Sequence, residues 1–170
     1  SVTAFDAVTN GKLAELTVGT APRSIARAPD GRLWVTNKLS ASISIINPDT
    51  MSVVQTIALP FASQPYGVAF APTGSFAFVV LEGLGQVLKL DATNGAQVAS
   101  VNVGPNPRHL AVSGDGATLL VSRFITPHLP GEETAVVQTP NGAGGEVVRV
   151  GAAGMSVLGT TILRHSDAID

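Results

Sequence analysis

The sequence predicts an all-β chain built from repeated four-stranded antiparallel sheets, and three observations carry that expectation. First, TAPRSIARAPDGRLWVTN, SQPYGVAFAPTGSFAFVV and PNPRHLAVSGDGATLLVS are versions of one another. Their leading prolines, Pro22, Pro65 and Pro107, stand 43 and 42 residues apart, and Gly31, Gly74 and Gly116 keep that spacing. Second, each unit consists of short apolar runs bounded by turn residues, the pattern of strands. Third, helix-period stripes are missing, while Gly and Pro are frequent, 18 and 11 among 170 residues. Four short strands in about 40–45 residues is the period of a propeller blade.

The second unit shows the plan. Gly67–Ala71 is strand A, small and smooth. Pro72-Thr73-Gly74 turns the chain, with Pro presetting its φ and Gly accepting a positive one. Phe76–Leu81 is strand B, nearly all apolar, as a strand covered on both faces should be. Gln86–Leu90 is strand C. The turn Asp91–Gly95 follows, its Asp suited to accept backbone amides two residues on. Gln97–Val103 is strand D, more polar and therefore outermost. The first unit repeats the order with Ile25–Ala28, Leu33–Asn37, Ser42–Ile46 and Val53–Leu59. The third gives Leu110–Ser113, Thr118–Arg123, Val147–Val150 and Ser156–Leu163. VTAFDAVTNGKLAELTVG near the start matches VLKLDATNGAQVASVNVG, so residues 2–18 read as strands C and D alone. The expected division is a half blade at 1–19, blades at 20–60, 61–104 and 105–164, and a linker at 165–170. Three and a half blades are too few to close a ring, so an incomplete ring and a piece of a longer chain are expected.

The run VTNKLSASISIINPDTMSVVQTI resembles the YVTN β-propeller repeat, with Trp34 where the family's Tyr stands. APDG at Ala28–Gly31, VTN at Val35–Asn37, and Asp91 with Thr93-Asn94-Gly95 carry the resemblance, which spans nearly the whole chain. The third unit departs from it, with SGDG for the usual PDG and a long insertion. The resemblance implies a propeller fold and a surface-layer-like or periplasmic setting. Broader relatives include lactonases and subunits of redox enzymes. A propeller hosts many unrelated functions, so the resemblance speaks to fold more than to chemistry.

Composition narrows the partners. Apolar residues make up 45% and charged residues 13%, with a net charge of −2. That balance gives no electrostatic footprint for nucleic acid. No stretch approaches the ~20 apolar residues of a membrane span. Without cysteine the chain offers no disulfide, thiol or c-type haem attachment. Ser1 opens the chain with no charged-then-apolar leader behind it, which reads as a processed or trimmed start.

Topology points to one face. In an up-and-down blade the D–A connections and B–C loops share a side, and strand A lines the central channel. The residues that start strand A therefore ring the channel mouth: Arg23, Tyr66 and Arg108, with His109 next to the last. Arg123 at the end of strand B belongs to the same side, as do Lys38 and Glu82. Guanidiniums and a phenol there suit a carboxylate or phosphate, because Arg presents a planar fork of donors. The plainer alternative is a rim of solvated loop ends. Arg27 occupies a strand A position filled by Phe70 and Val112 elsewhere. It faces the incomplete half blade, meets a carboxylate in the missing part, or lays its stem along a neighbour with its head in water.

The third B–C loop is 18 residues longer than the others. This 124–145 insertion overhangs the same face and carries His128, Glu132 and Glu133. One His and two carboxylates are the weak metal or acid–base candidates of the chain. Solvated loop residues are the plainer reading for them, and for His165 and Asp167. No Gly-x-Ser-x-Gly, phosphate-binding Gly-rich loop or His-Glu-x-x-His occurs, and no cofactor is called for.

Two functions fit. One is a non-enzymatic module, secreted, periplasmic or on the cell surface, that binds a protein partner, remaining propeller blades or a small anionic ligand. The other is a domain of a lactonase-like hydrolase or redox enzyme with its site at the channel mouth. The absence of a catalytic signature leans to the first.

Overall fold

The computed structural model describes residues 1–124 and 144–164. These form fourteen strands and no helix. Strands β1 (Val2–Phe5) and β2 (Lys12–Leu16) make a two-stranded sheet. Blade 1 is β3 (Pro22–Arg27), β4 (Leu33–Asn37), β5 (Ser42–Asn47) and β6 (Ser52–Ala58). Blade 2 is β7 (Pro65–Phe70), β8 (Phe76–Leu81), β9 (Gln86–Asp91) and β10 (Gln97–Asn102). Blade 3 is β11 (Pro107–Val112), β12 (Thr118–Arg123), β13 (Gly144–Gly151) and β14 (Ser156–Arg164). Every pairing is antiparallel between strands consecutive in sequence. The first strands of adjacent blades, β3, β7 and β11, lie beside one another, so the blades radiate from a shared inner edge. This is an arc of a β-propeller. Among the described residues β1 pairs with β2 alone, and nothing closes the arc into a ring.

Two apolar clusters hold the arc together, one in each gap between complete blades. Between blades 1 and 2 sit Trp34, Ile43, Ile45, Val79 and Leu90, with Trp34 edge-on to Phe70 at 5.4 Å. Between blades 2 and 3 sit Phe78, Val80, Val87, Leu119 and Val148. Strand B of blade 2 is buried on both faces because its alternate residues serve the two gaps. The inner edge needs small residues: a Cβ on Gly67 would lie 2.6 Å from the Arg108 carbonyl oxygen in the next blade.

The ends of the arc differ from the middle. Val68 and Ile25 hold the same register, opposite Val79 and Val35. Val68 is buried against blade 1, whereas Ile25 is 51% exposed, because among the described residues the β1–β2 sheet has no inner strands to cover it. Arg27, opposite Leu33 on that face, is exposed too. Phe5 is 62% exposed.

Candidate functional site

The channel-mouth residues are placed by a backbone device used three times. The residue before each proline is left-handed: Ala21 at φ 54°, Gln64 at 49° and Asn106 at 55°. Such a conformation costs a non-glycine residue about 1 kcal/mol or more and persists where its surroundings over-determine it. Here the carbonyl of each accepts the amide just beyond strand B of the same blade: Lys38 at 2.9 Å, Glu82 at 3.1 Å and Phe124 at 2.9 Å. Immediately after each proline the ladder breaks register, between Pro22 and Ser24, Pro65 and Val68, and Pro107 and His109. Arg23, Tyr66 and Arg108 stand on these bulges, and a bulge re-aims its side chain.

They meet around Tyr66. The guanidinium carbons of Arg23 and Arg108 lie 5.9 and 5.2 Å from the centre of its ring, and Lys38 Nζ lies at 5.7 Å. His109 meets the ring edge-on at 5.1 Å. Cations over a ring face are attracted by its quadrupole. Thr36, of the VTN run, donates its hydroxyl to the Tyr66 carbonyl at 2.5 Å and ties blade 1 to this point of blade 2. Asn37 of the same run is buried and donates to the Ser42 and Ser44 hydroxyls. Those two residues are therefore structural braces.

Glu82 organises the charge. It is buried, accepts Arg108 Nε at 2.6 Å and pairs with Lys38 through its other oxygen. Burial pushes its carboxyl up, but the hydrogen bonds and charges of Lys38 and Arg108 outweigh burial and hold it below the usual glutamate range. Arg108 also stacks on Phe124, 3.4 Å from the ring centre. Arg23 is exposed and, among the described residues, forms no ion pair. Arg123 is committed elsewhere, paired with Glu146 opposite it on β13 and donating to the Pro105 carbonyl at 2.9 Å. A polar groove of about 460 Å³ adjoins the cluster between the loops at 82–85 and 102–106, with Gln64, Glu82, Asn102 and Asn106 on its walls.

The reading from sequence put Glu82 and Lys38 on this face but did not pair them. The signal was available: they occupy the same position after strand B in successive units and carry opposite charges. His128, Glu132 and Glu133 lie outside the described residues, as do His165 and Asp167. Among the described residues no group of three or more His, Asp or Glu gathers as a metal site would require.

Comparisons with known proteins add the fold and stop there. No protein family matches the chain, and none of the curated proteins does. Solved structures do. Hydrazine synthase of Kuenenia stuttgartiensis is 24% identical with a TM-score of 0.77, over 95% of this chain and 43% of that one. A putative 6-phosphogluconolactonase from Bacteroides uniformis is 18% identical with a TM-score of 0.68, over 96% of this chain and 51% of that one. The dihydro-heme d1 dehydrogenase NirN is 23% identical with a TM-score of 0.57, over 98% of this chain and 29% of that one. The chain thus spans about half or less of the length of these structures. The likeness supports the propeller and, at such identities, nothing finer.

Proposed function

We propose that the chain is a YVTN-type propeller segment acting as a non-enzymatic binding module, exported to the periplasm, the cell surface or the medium. One observation carries the reading: the cations at the channel mouth surround a tyrosine and are held in place by a buried carboxylate. Glu82 pairs with both Arg108 and Lys38, offsetting one of their two charges, and leaves Arg23 as the open donor among the described residues. Such an arrangement presents a fixed polar rim to an anionic group on a small molecule or a protein partner. Among the described residues it pairs no nucleophile with a base, as acyl transfer would require. The exported setting rests on the resemblance to the YVTN repeat. The alternative, a domain of a hydrolase or redox enzyme using this same rim, draws on the names of two similar structures, a putative lactonase and a dehydrogenase.

Titration of the chain with inorganic phosphate and with succinate, followed by NMR, separates the two readings. Shifts confined to the Arg23–Tyr66–His109 rim are expected, with binding weakened about tenfold or more in Arg23→Ala, in line with a charge-assisted hydrogen bond. Unchanged spectra at millimolar anion would reject the anion-binding rim. Hydrolysis of a δ-lactone above background, lost in Arg23→Ala, would move the assignment to the enzyme.

A further inference from the structure

Each gap between complete blades is fastened by a polar contact to the same kind of acceptor, made from different donor positions: Arg32 just before β4 in one gap and Lys89 within β9 in the other. A basic side chain of one blade reaches two successive carbonyls in the C–D turn of the next. Arg32 of blade 1 donates to the Ala92 and Thr93 carbonyls of blade 2 at 3.1 and 3.3 Å. Lys89 of blade 2 donates to the Ala152 and Ala153 carbonyls of blade 3 at 3.0 and 3.4 Å, with its ammonium 4.2 Å from the centre of the Phe76 ring. The acceptors are equivalent. Ala92 and Ala152 each follow the last residue of a strand C, Asp91 and Gly151, and Thr93 and Ala153 come next.

Blade 3 carries a basic residue at the position of Lys89, with nothing in front of it among the described residues. Lys89 stands opposite Phe78 in the β8–β9 ladder, and Arg149 stands opposite Leu120 in the β12–β13 ladder. Phe78 and Leu120 are themselves equivalent, each three residues before the strand B end that pairs with the strand A proline. Phe78 is 1% exposed against blade 3, whereas Leu120 is 43% exposed. Lys89 is buried and Arg149 is exposed, with no carboxylate paired to it among the described residues. Arg149 lies over Gly159 of the neighbouring strand, where a Cβ would come within 3.2 Å of its Nη2. A bare glycine there leaves the guanidinium room.

We propose that this face of the β11–β14 sheet docks a further blade of the same repeat, and that Arg149 fastens it by donating to two backbone carbonyls of that blade's C–D turn. The partner is identified by hydrogen-bonding chemistry: a turn with two free, adjacent carbonyls at one end, and an apolar strand B face to cover Leu120. A guanidinium supplies five donors and meets such a pair at least as well as the ammonium of Lys89.

The test extends the whole chain by one blade, appending a second copy of the sequence 61–104 behind residue 170, with hydrogen exchange read at residues 118–122 and 147–150. Docking should slow exchange on these strands relative to the parent chain. Arg149→Ala should return it about tenfold toward the parent rate, the effect of one charge-assisted bond. Arg149→Lys should keep the protection, as Lys89 does. In the unextended chain Arg149→Ala should change nothing. An appended blade that leaves exchange at 118–122 unaltered overturns the proposal, as does equal protection with and without Arg149. Sedimentation of the unextended chain covers the other occupant. If it forms dimers that Arg149→Ala dissolves, the face belongs to a second copy presenting its Asp6 turn, and the proposal of an added blade fails.

Discussion

Phe78→Ala should lower the unfolding free energy by about 3–5 kcal/mol, while Leu120→Ala, at the equivalent position one blade later, should cost within about 1 kcal/mol. Phe78 sits at the centre of the cluster between blades 2 and 3, with Val80, Leu119 and Val121 around it. Truncation there removes a large apolar side chain and leaves a cavity that two sheets locked by their own ladders cannot collapse to fill. Leu120 occupies the same place in its own sheet but faces solvent. Urea unfolding of the two variants measures the contrast. The midpoint should fall strongly for Phe78→Ala with an unchanged slope, and hardly move for Leu120→Ala. Equal losses would mean that the outer face of blade 3 is packed in solution.

Glu82→Gln should cost about 2–4 kcal/mol at neutral pH, although it changes neither size nor shape. The carboxylate is buried between Lys38 and Arg108, and its removal leaves both cations half-buried without a counter-charge. The figure sits below that of a fully buried triad because Lys38 and Arg108 retain some solvent. The pH dependence follows from the depressed carboxyl. Its folded value lies below the ordinary 4.5, so the unfolded chain binds the proton more readily. The stabilisation is then complete above about pH 5 and is lost as pH falls through the folded value. Denaturant midpoints between pH 7 and 3 should show a step in the parent chain that is reduced in Glu82→Gln. A variant as stable as the parent at pH 7 would show that the pair contributes nothing net.

Much of this was legible in the chain itself, and the reasons are physical. The B strands Leu33–Asn37, Phe76–Leu81 and Thr118–Arg123 match the sequence reading to the residue. Each carries an apolar run shortly behind its turn glycine, and Phe76–Leu81, covered on both faces, stays apolar to its end. The A strands start earlier than read, at Pro22, Pro65 and Pro107 instead of Ile25, Gly67 and Leu110. Proline lacks an N–H, but it fits the first position of an edge strand, where none is needed. The left-handed residue before it makes the turn. That Arg23, Tyr66 and Arg108 share a face followed from the order of the strands. That Glu82 neutralises Arg108 did not, since it depends on side chains reaching between neighbouring blades. Arg27 is exposed on the half-blade side, where the described residues supply no inner strands.

Four equivalent positions open the C–D turns: Asp6 just beyond β1, and Asn47, Asp91 and Gly151 at the ends of β5, β9 and β13. Asp6 and Asp91 each accept two backbone amides of their turn, and these bonds hold their carboxyls below the usual aspartate range. Asn47 makes the same two bonds with an amide oxygen, at 2.9 and 3.4 Å. An amide has no proton to gain in acid, while a depressed carboxylate loses its role as pH falls through its folded value. The loops are therefore expected to respond to acidity differently. Those of the half blade and blade 2 should loosen in strong acid, that of blade 1 should keep its geometry, and that of blade 3 has a glycine at this position and no side chain to titrate. Acid tolerance along the arc is graded by which of these residues closes each hairpin.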